Sequence, residues 1–160
     1  MKNFSQIIKK LKQNNEYISV MESCTGGGVC NFITNISGSS DVFKFGVVAY
    51  SNDYKIKMGV DENIINKFSV YSKETVMEMA TKICEFTQAD YGVGITGKLK
   101  SVDKANLVGQ DDKVYISVYD SKNKKHYDKN IIVPFEQREQ NKTVIIDVLI
   151  EMLEKIILSK

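Results

Sequence analysis

Residues 17–33 read Tyr-Ile-Ser-Val-Met-Glu-Ser-Cys-Thr-Gly-Gly-Gly-Val-Cys-Asn-Phe-Ile. Tyr17 to Met21 is a short apolar run of strand length. Glu22 to Gly28 follows at once as a glycine-rich turn, and Val29, Phe32 and Ile33 then resume helical spacing. Strand, glycine turn and helix in that order are the layout of a phosphate-binding βα unit.

Working outward, Phe4, Ile7, Ile8 and Leu11 recur at helical spacing and predict a first helix that ends near Asn14-Asn15. Phe45 to Tyr50 predicts a buried strand. Ser51-Asn52-Asp53 can cap a helical turn that carries Lys55. Helices are expected over 61–68 and after Ser72, where Thr75, Val76, Met79, Ala80 and Ile83 share a face. Tyr91 to Thr96 predicts a third strand, closed by Gly97, and a polar loop follows from Lys98 to Asp112. Residues 113–119 and 127–133 read as a hairpin around the turn 120–125, ended by the only proline, Pro134. Val144, Ile145, Val148, Leu149, Met152, Leu153 and Ile156 predict a final amphipathic helix. Early strands alternating with helices, plus a late hairpin, predict a three-layer α/β/α sandwich with a mixed sheet, as a single domain over 1–160.

Composition narrows the function classes. The 160 residues are 42% hydrophobic and 26% charged, which suits a globular domain with its own core. Twenty-two basic and 20 acidic residues leave a net charge of only +2, so neither nucleic acid nor a membrane surface is indicated as partner. Arg138 is the only arginine. Cys24, Cys30 and Cys84 form no CxxC pair and meet a single histidine, so no metal site is expected. The odd cysteine count, with no leader pattern, points to a reducing cytoplasm. The apolar stretch 143–158 is broken by charges and is no membrane span.

Three groups of residues can carry chemistry. In the turn 23–28, backbone N–H groups at a helix start can hold a phosphate or oxyanion, or the turn can be purely structural. Cys24 there is either an activated thiol or a small buried residue. Next, Ser39-Ser40 precedes a strand, and Tyr50 and Lys55 follow it. His126 sits in a charged hairpin and reads as a solvated turn residue. A serine can instead be activated by a neutral lysine. Lowering a lysine pKa from about 10.4 to about 7.5 costs roughly 4 kcal/mol and needs burial or a nearby cation. Lys55, just after a buried strand, is the lysine placed for that; Lys57 should face elsewhere.

In that order and spacing, Glu22 to Gly27, Gly38-Ser39-Ser40, Gly46 to Asn52 and Lys55 resemble the C-terminal domain of the competence/damage-inducible CinA proteins. Residues 70–75, 78–80, Ala89-Asp90 and 94–97 continue the likeness. The resemblance implies a nicotinamide-nucleotide amidase. Such an enzyme hydrolyses the carboxamide of nicotinamide mononucleotide to nicotinic acid mononucleotide and ammonia, with Ser/Lys chemistry and no metal or cofactor. Carried over residue by residue, Lys55 would be the general base and Tyr50 would orient it. Ser40 is the favoured nucleophile because it precedes the strand that presents Tyr50 and Lys55; Ser23 is the alternative, or positions Lys55. Thr25, Gly26 and Gly27 would hold an oxyanion or phosphate, Thr96 and Gly97 would face substrate, and Arg138 would pair with its phosphate. The expected partner is a small nucleotide, and a homo-oligomer is expected. The likeness covers nearly the whole chain and is dense from Glu22 to Gly97; after Gly97 the family's Gly- and Pro-rich loop is replaced by Lys98 to Asn106, with Lys98, Lys100 and Lys104 in its place. The alternatives are a Ser/Lys hydrolase of another nucleotide amide, or a non-catalytic nucleotide-binding or regulatory module. A loop that closes over Lys55 would favour catalysis on a changed substrate.

Overall fold

The structure, a computed structural model, describes residues 2–160. Five strands form one mixed sheet: β1 (Ile18–Glu22), β2 (Phe43–Val48), β3 (Tyr91–Gly97), β4 (Lys113–Asp120) and β5 (Lys125–Ile132). Their spatial order is β2-β1-β3-β4-β5. β1 lies parallel to β2 and β3, and β4 and β5 are antiparallel additions. The helices are α1 (Ser5–Asn14), α2 (Gly28–Thr34), α3 (Asn52–Lys57), α4 (Glu62–Phe68), α5 (Lys73–Thr87) and α6 (Arg138–Leu153). A 3-10 turn spans Ser39–Asp41, and a π-helical turn (Glu154–Leu158) extends α6. No described helix is long and apolar enough to cross a membrane.

Strand alternation sorts the core into two layers. Ile18, Val20, Val93 and Ile95 face α1, α2 and α6, whose apolar stripes (Phe4, Leu11, Ile33, Leu149) complete the larger cluster. Met21, from the opposite face of β1, packs with Ala49, Val60, Ile65, Met79 and Ile83 under α3, α4 and α5. The three-layer α/β/α sandwich is therefore the observed architecture. Gly92 and Gly94 open the α5 side of β3. A β-carbon on Gly92 would stand 2.1 Å from the Ala80 carbonyl oxygen, and one on Gly94 would stand 2.5 Å from that of Val76. Their absence lets the backbone of α5 lie directly on the sheet.

Two local expectations are corrected. The strand expected over 45–50 runs from Phe43 to Val48 and is the sheet's edge, not a buried strand; Phe45 and Val48 are exposed. Its apolar residues read as interior because sequence periodicity does not show which strand is last in the sheet. His126 lies within β5 rather than in a turn. The Asp120 carboxylate accepts from the amides of Lys122 and Asn123 and closes the turn after four residues. His126 then pairs with Tyr119 across the hairpin and hydrogen-bonds Thr81 Oγ1 at 2.7 Å.

The chain runs from β1 through α2 to β2 on one side, then back through α3, α4 and α5 to β3 on the other. The carboxyl ends of β1 and β3 thus form a topological switch point, where α/β sheets bind ligands. Gly92→Ala is expected to destabilise the domain by about 3 kcal/mol, the upper part of the overpacking range, because backbone rather than a flexible side chain must move. Urea unfolding followed by circular dichroism measures it.

Candidate active site

β1 ends in two residues that point to opposite sides of the sheet. Glu22, fully buried, turns toward α2. Its carboxylate accepts from Thr25 Oγ1 (2.6 Å) and from the amides of Gly27 (2.9 Å), Val29 (3.2 Å) and Cys30 (3.0 Å). A carboxylate at a helix amino end satisfies free amides and complements the dipole. The glycine turn therefore already holds an anion, and that anion is the protein's own.

Of the donors expected at Thr25, Gly26 and Gly27 for an oxyanion or phosphate, three are engaged within the turn. Thr25 is buried and bonded to Glu22, the Gly27 amide is donated to Glu22, and the Gly26 amide goes to the Ser23 carbonyl. The backbone amide of Thr25 itself has no hydrogen-bond partner among the described residues. The amide of Cys24, next along from Ser23, has no hydrogen-bond partner among the described residues. Cys24 lines the cleft described below.

Ser23 turns to the other side and meets Lys55. Ser51 caps α3 by accepting from Tyr54 N, and one helical turn then carries the Lys55 side chain inward. Lys55 is 2% exposed, and its Nζ lies 3.1 Å from Ser23 Oγ and donates to the Ala49 carbonyl at 2.8 Å. No carboxylate stands within ion-pair distance of Lys55 among the described residues. Burial without a counter-ion penalises the ammonium and lowers the Lys55 pKa to about 8. Neutral Lys55 would keep one N–H on Ala49 and offer its lone pair to the Ser23 hydroxyl. Lys57, as expected, faces elsewhere: it is exposed, over the Tyr54 ring.

Ser40 does not join this pair. It lies exposed in the 3-10 turn before β2, whereas Tyr50 and Lys55 come after it. The six residues of β2 separate the two ends by roughly 20 Å. Preceding the same strand means standing at its opposite end, which the expectation of a Ser40 nucleophile overlooked. Of the two readings of Cys24, the small buried residue is the one observed, not the activated thiol. It is buried, and desolvation pushes its pKa up to about 12.

Ser23 opens on a cleft of about 620 Å³ at the switch point, within the usual ~300–1,000 Å³ of small-molecule sites. Tyr50, Tyr71, Gly97 and Arg138 line it. Thr96 does not; it is buried and its hydroxyl donates to the Val70 carbonyl. Arg138 donates to Ser101 Oγ (2.7 Å) and to Tyr50 Oη (3.3 Å). Tyr50, itself 63% exposed, thus meets Arg138 rather than Lys55.

The loop 98–112 folds over this cleft. Asp103 accepts from the Tyr71 hydroxyl, and Asn52 and Asn106 bond each other at 2.8 Å. Sequence reasoning did not single out Tyr71, Asp103, Asn52 or Asn106, and no local pattern marks contacts between segments so far apart in the chain. Lys98 and Lys100 are engaged with Asp111 (3.2 Å) and Glu136 (2.8 Å), so they are not free anion ligands.

A depressed lysine pKa has a sign in stability. Below about pH 8 Lys55 is protonated in both states and the fold carries the burial cost. Between about 8 and 10.5 the unfolded chain holds more protons, so stability rises with pH. Lys55→Met is therefore expected to stabilise the protein below pH 8, by about 3 kcal/mol at most, with the gain shrinking toward pH 10.5. Chemical denaturation of both proteins at several pH values tests this.

The comparisons with known proteins agree with this fold. The family model described as the CinA C-terminal domain matches residues 2–157. A putative competence-damage inducible protein of Clostridium tetani is 37% identical over 139 residues, 86% of this chain and 34% of that protein. A CinA-like protein of Thermotoga neapolitana is 41% identical over 92 residues, 57% of this chain and 22% of that protein. The chain thus spans about a fifth to a third of the curated relatives it matches. The crystal structure of the competence/damage inducible protein CihA from Agrobacterium tumefaciens superposes with a TM-score of 0.83 at 26% identity, covering 92% of this chain and 89% of that one. A CinA superfamily protein of Escherichia coli shares the fold at a TM-score of 0.86 and 19% identity, covering 95% of this chain and 87% of that one. With a sandwich, a glycine turn and a strand-end cleft that all fall within residues 2–157, the chain belongs to the CinA C-terminal domain family.

Proposed function

We propose that this protein is an amidohydrolase that converts nicotinamide mononucleotide to nicotinic acid mononucleotide and ammonia, with Ser23 as nucleophile and Lys55 as general base. The observation that carries this reading is the buried Lys55–Ser23 contact opening on a nucleotide-sized cleft. With a pKa of about 8, roughly a quarter of Lys55 is neutral at pH 7.5, against about one part in a thousand for an ordinary lysine.

In this reading neutral Lys55 takes the Ser23 proton as Oγ attacks the carboxamide carbon. The Cys24 amide donates to the oxyanion that develops, since the amide following a nucleophile is already at the right place in the chain. Lys55 returns the proton to the departing nitrogen, and ammonia leaves a Ser23 ester. Water, deprotonated by Lys55, attacks that ester; the acyl–Oγ bond breaks, Lys55 returns the proton to Ser23 Oγ, and the product leaves as a carboxylic acid that ionises in water. Tyr50 holds the Arg138 guanidinium at the cleft, where it can meet the substrate phosphate.

A second reading concerns the substrate. The loop 98–112 brings Asp103 and Asn106 to the cleft wall, polar groups that can hydrogen-bond a ring other than unmodified nicotinamide. This favours another amide-bearing nucleotide with the same Ser23/Lys55 chemistry.

Ammonia release from nicotinamide mononucleotide and a panel of nucleotide amides separates the readings. Lys55→Met is expected to lower kcat/KM by about 10³, and Ser23→Ala by at least as much, with native circular dichroism in both. Ser40→Ala should stay within about twofold of the parent. A silent Ser23→Ala, or an inactive but folded Ser40→Ala, would reverse the choice of nucleophile. Activity should rise with pH and level off above about 8, as Lys55 loses its proton.

A further inference from the structure

Val70 and Ser23 are both tied to the end of β3. The Thr96 hydroxyl donates to the Val70 carbonyl at 3.2 Å, and the Ser23 amide donates to the Ile95 carbonyl at 3.1 Å. Tyr71 and Ser23 thus flank one strand end, and both line the cleft. The Tyr71 hydroxyl donates to the Asp103 carboxylate, which also accepts from the Asn106 side chain at 2.9 Å and the Ala105 amide at 3.0 Å. Burial alone would raise the Asp103 carboxyl, but these donors outweigh it and hold it below the usual carboxylate range. Burial, and then Asp103, push the Tyr71 phenol up, so Tyr71 keeps its proton and remains the donor. Asp103 is therefore a half-buried anion in the cleft wall.

That anion lacks a counter-ion. Among the described residues no lysine or arginine stands within ion-pair distance of Asp103. The cations that line the cleft are engaged elsewhere, Lys98 with Asp111 at 3.2 Å and Arg138 with the hydroxyls of Ser101 and Tyr50. Asp53, the other acid of the wall, is exposed, and water and salt screen it. An ionised carboxylate has roughly four acceptor sites, so the three donors leave room for another partner. The Tyr71 ring already attracts a cation, since Lys98 Nζ stands 5.1 Å from its centre, and the Tyr50 ring is open to the cleft. An unpaired carboxylate beside tyrosine rings complements a flat cation better than a neutral ring.

We infer that Asp103 is a specificity residue of this cleft, selecting ligands whose amide-bearing ring is a cation over those whose ring is neutral. The field of Asp103 reaches Lys55, where it opposes the effect of burial, so a ring whose amide meets Ser23 also lies within that field. Asp103 stands in the segment Lys98 to Asn106, where this chain departs from the family's Gly- and Pro-rich loop. Both substrate readings above are compatible with the selection, provided the ring is positively charged. The inference rests on the proposed amidase reading for the amide alone, because the charge preference is a property of binding.

Calorimetric titration tests it with nicotinamide mononucleotide, a pyridinium, and its 1,4-dihydro form, whose ring is neutral. Ser23→Ala protein serves as the background, so that neither ligand is turned over. The cationic ligand should bind at least about tenfold more tightly. Adding Asp103→Asn should weaken the cationic ligand about tenfold and leave the neutral one within about twofold. Asp103→Glu should keep most of the preference. Tyr71→Phe breaks the same hydrogen bond without removing the charge, and should also keep the preference. Binding of neither ligand, no preference for the cation, or a preference that survives Asp103→Asn overturns the inference. An equal loss for both ligands in Asp103→Asn, or a preference abolished by Tyr71→Phe, also overturns it, since loop position would then be the cause. Ring preference in binding, with no ammonia released by protein that retains Ser23, overturns the amidase and leaves the role of Asp103 standing. Ammonia release together with an unchanged preference in Asp103→Asn does the reverse.

Discussion

The carboxylate of Glu22 organises the end of β1. It is fully buried without an ion-pair partner among the described residues, and three amides and one hydroxyl hold it. A buried charge is tolerable when every acceptor site is met by a donor. The contact has two structural consequences. It closes the amino end of α2, a helix of only seven residues that has no side-chain cap of its own. It also holds Glu22 toward α2, and since neighbouring strand residues alternate in direction, Ser23 must then face α3 and α5.

Lys55 is the counterpart on that other side. The protein buries an ammonium without an acid, at a cost that the core of Met21, Ala49, Val60 and Met79 around it must cover. A structural lysine would be paired or left at the surface. A lysine kept dry and 3.1 Å from a hydroxyl has its pKa lowered to about 8, so its neutral form is far more populated than that of a solvated lysine. Glu22 and Lys55 thus lie on opposite faces of the same strand end, one a carboxylate met by four donors and the other an amine whose charge burial disfavours.

The cleft outside this pair has walls drawn from distant segments. Tyr50 follows β2, Gly97 ends β3, Arg138 begins α6, and the loop after β3 crosses above them. The loop is held at its base by backbone bonds from Lys98 and Lys100 to the carbonyls of Lys113 and Asp111, and farther out by side chains, Tyr71 to Asp103 and Asn52 to Asn106. Backbone bonds do not depend on side-chain identity, so the composition of the loop can change without disturbing the sheet below.

Much of the architecture was legible in the residue order. Apolar periodicity, Ser72 and Ser51 as caps, and the glycine turn after Tyr17 to Met21 are local signals, because helices and strands answer to neighbours a few residues away. The motif residues also marked Ser23, Tyr50, Lys55 and Arg138 as candidates. What the order of residues left open was which candidates meet. Ser40 and Lys55 are closer in sequence than Ser23 and Lys55, yet a strand between the first pair carries them apart, while a parallel crossover brings the second pair together. The amides of the glycine turn looked free until the fold turned Glu22 into them. By itself the sequence determined the layers, the strand ends and the stock of reactive groups, since these follow from local pattern. Only the tertiary structure decided the partner of Lys55, its dryness and the edge position of β2, because contact and desolvation depend on segments far apart in the chain.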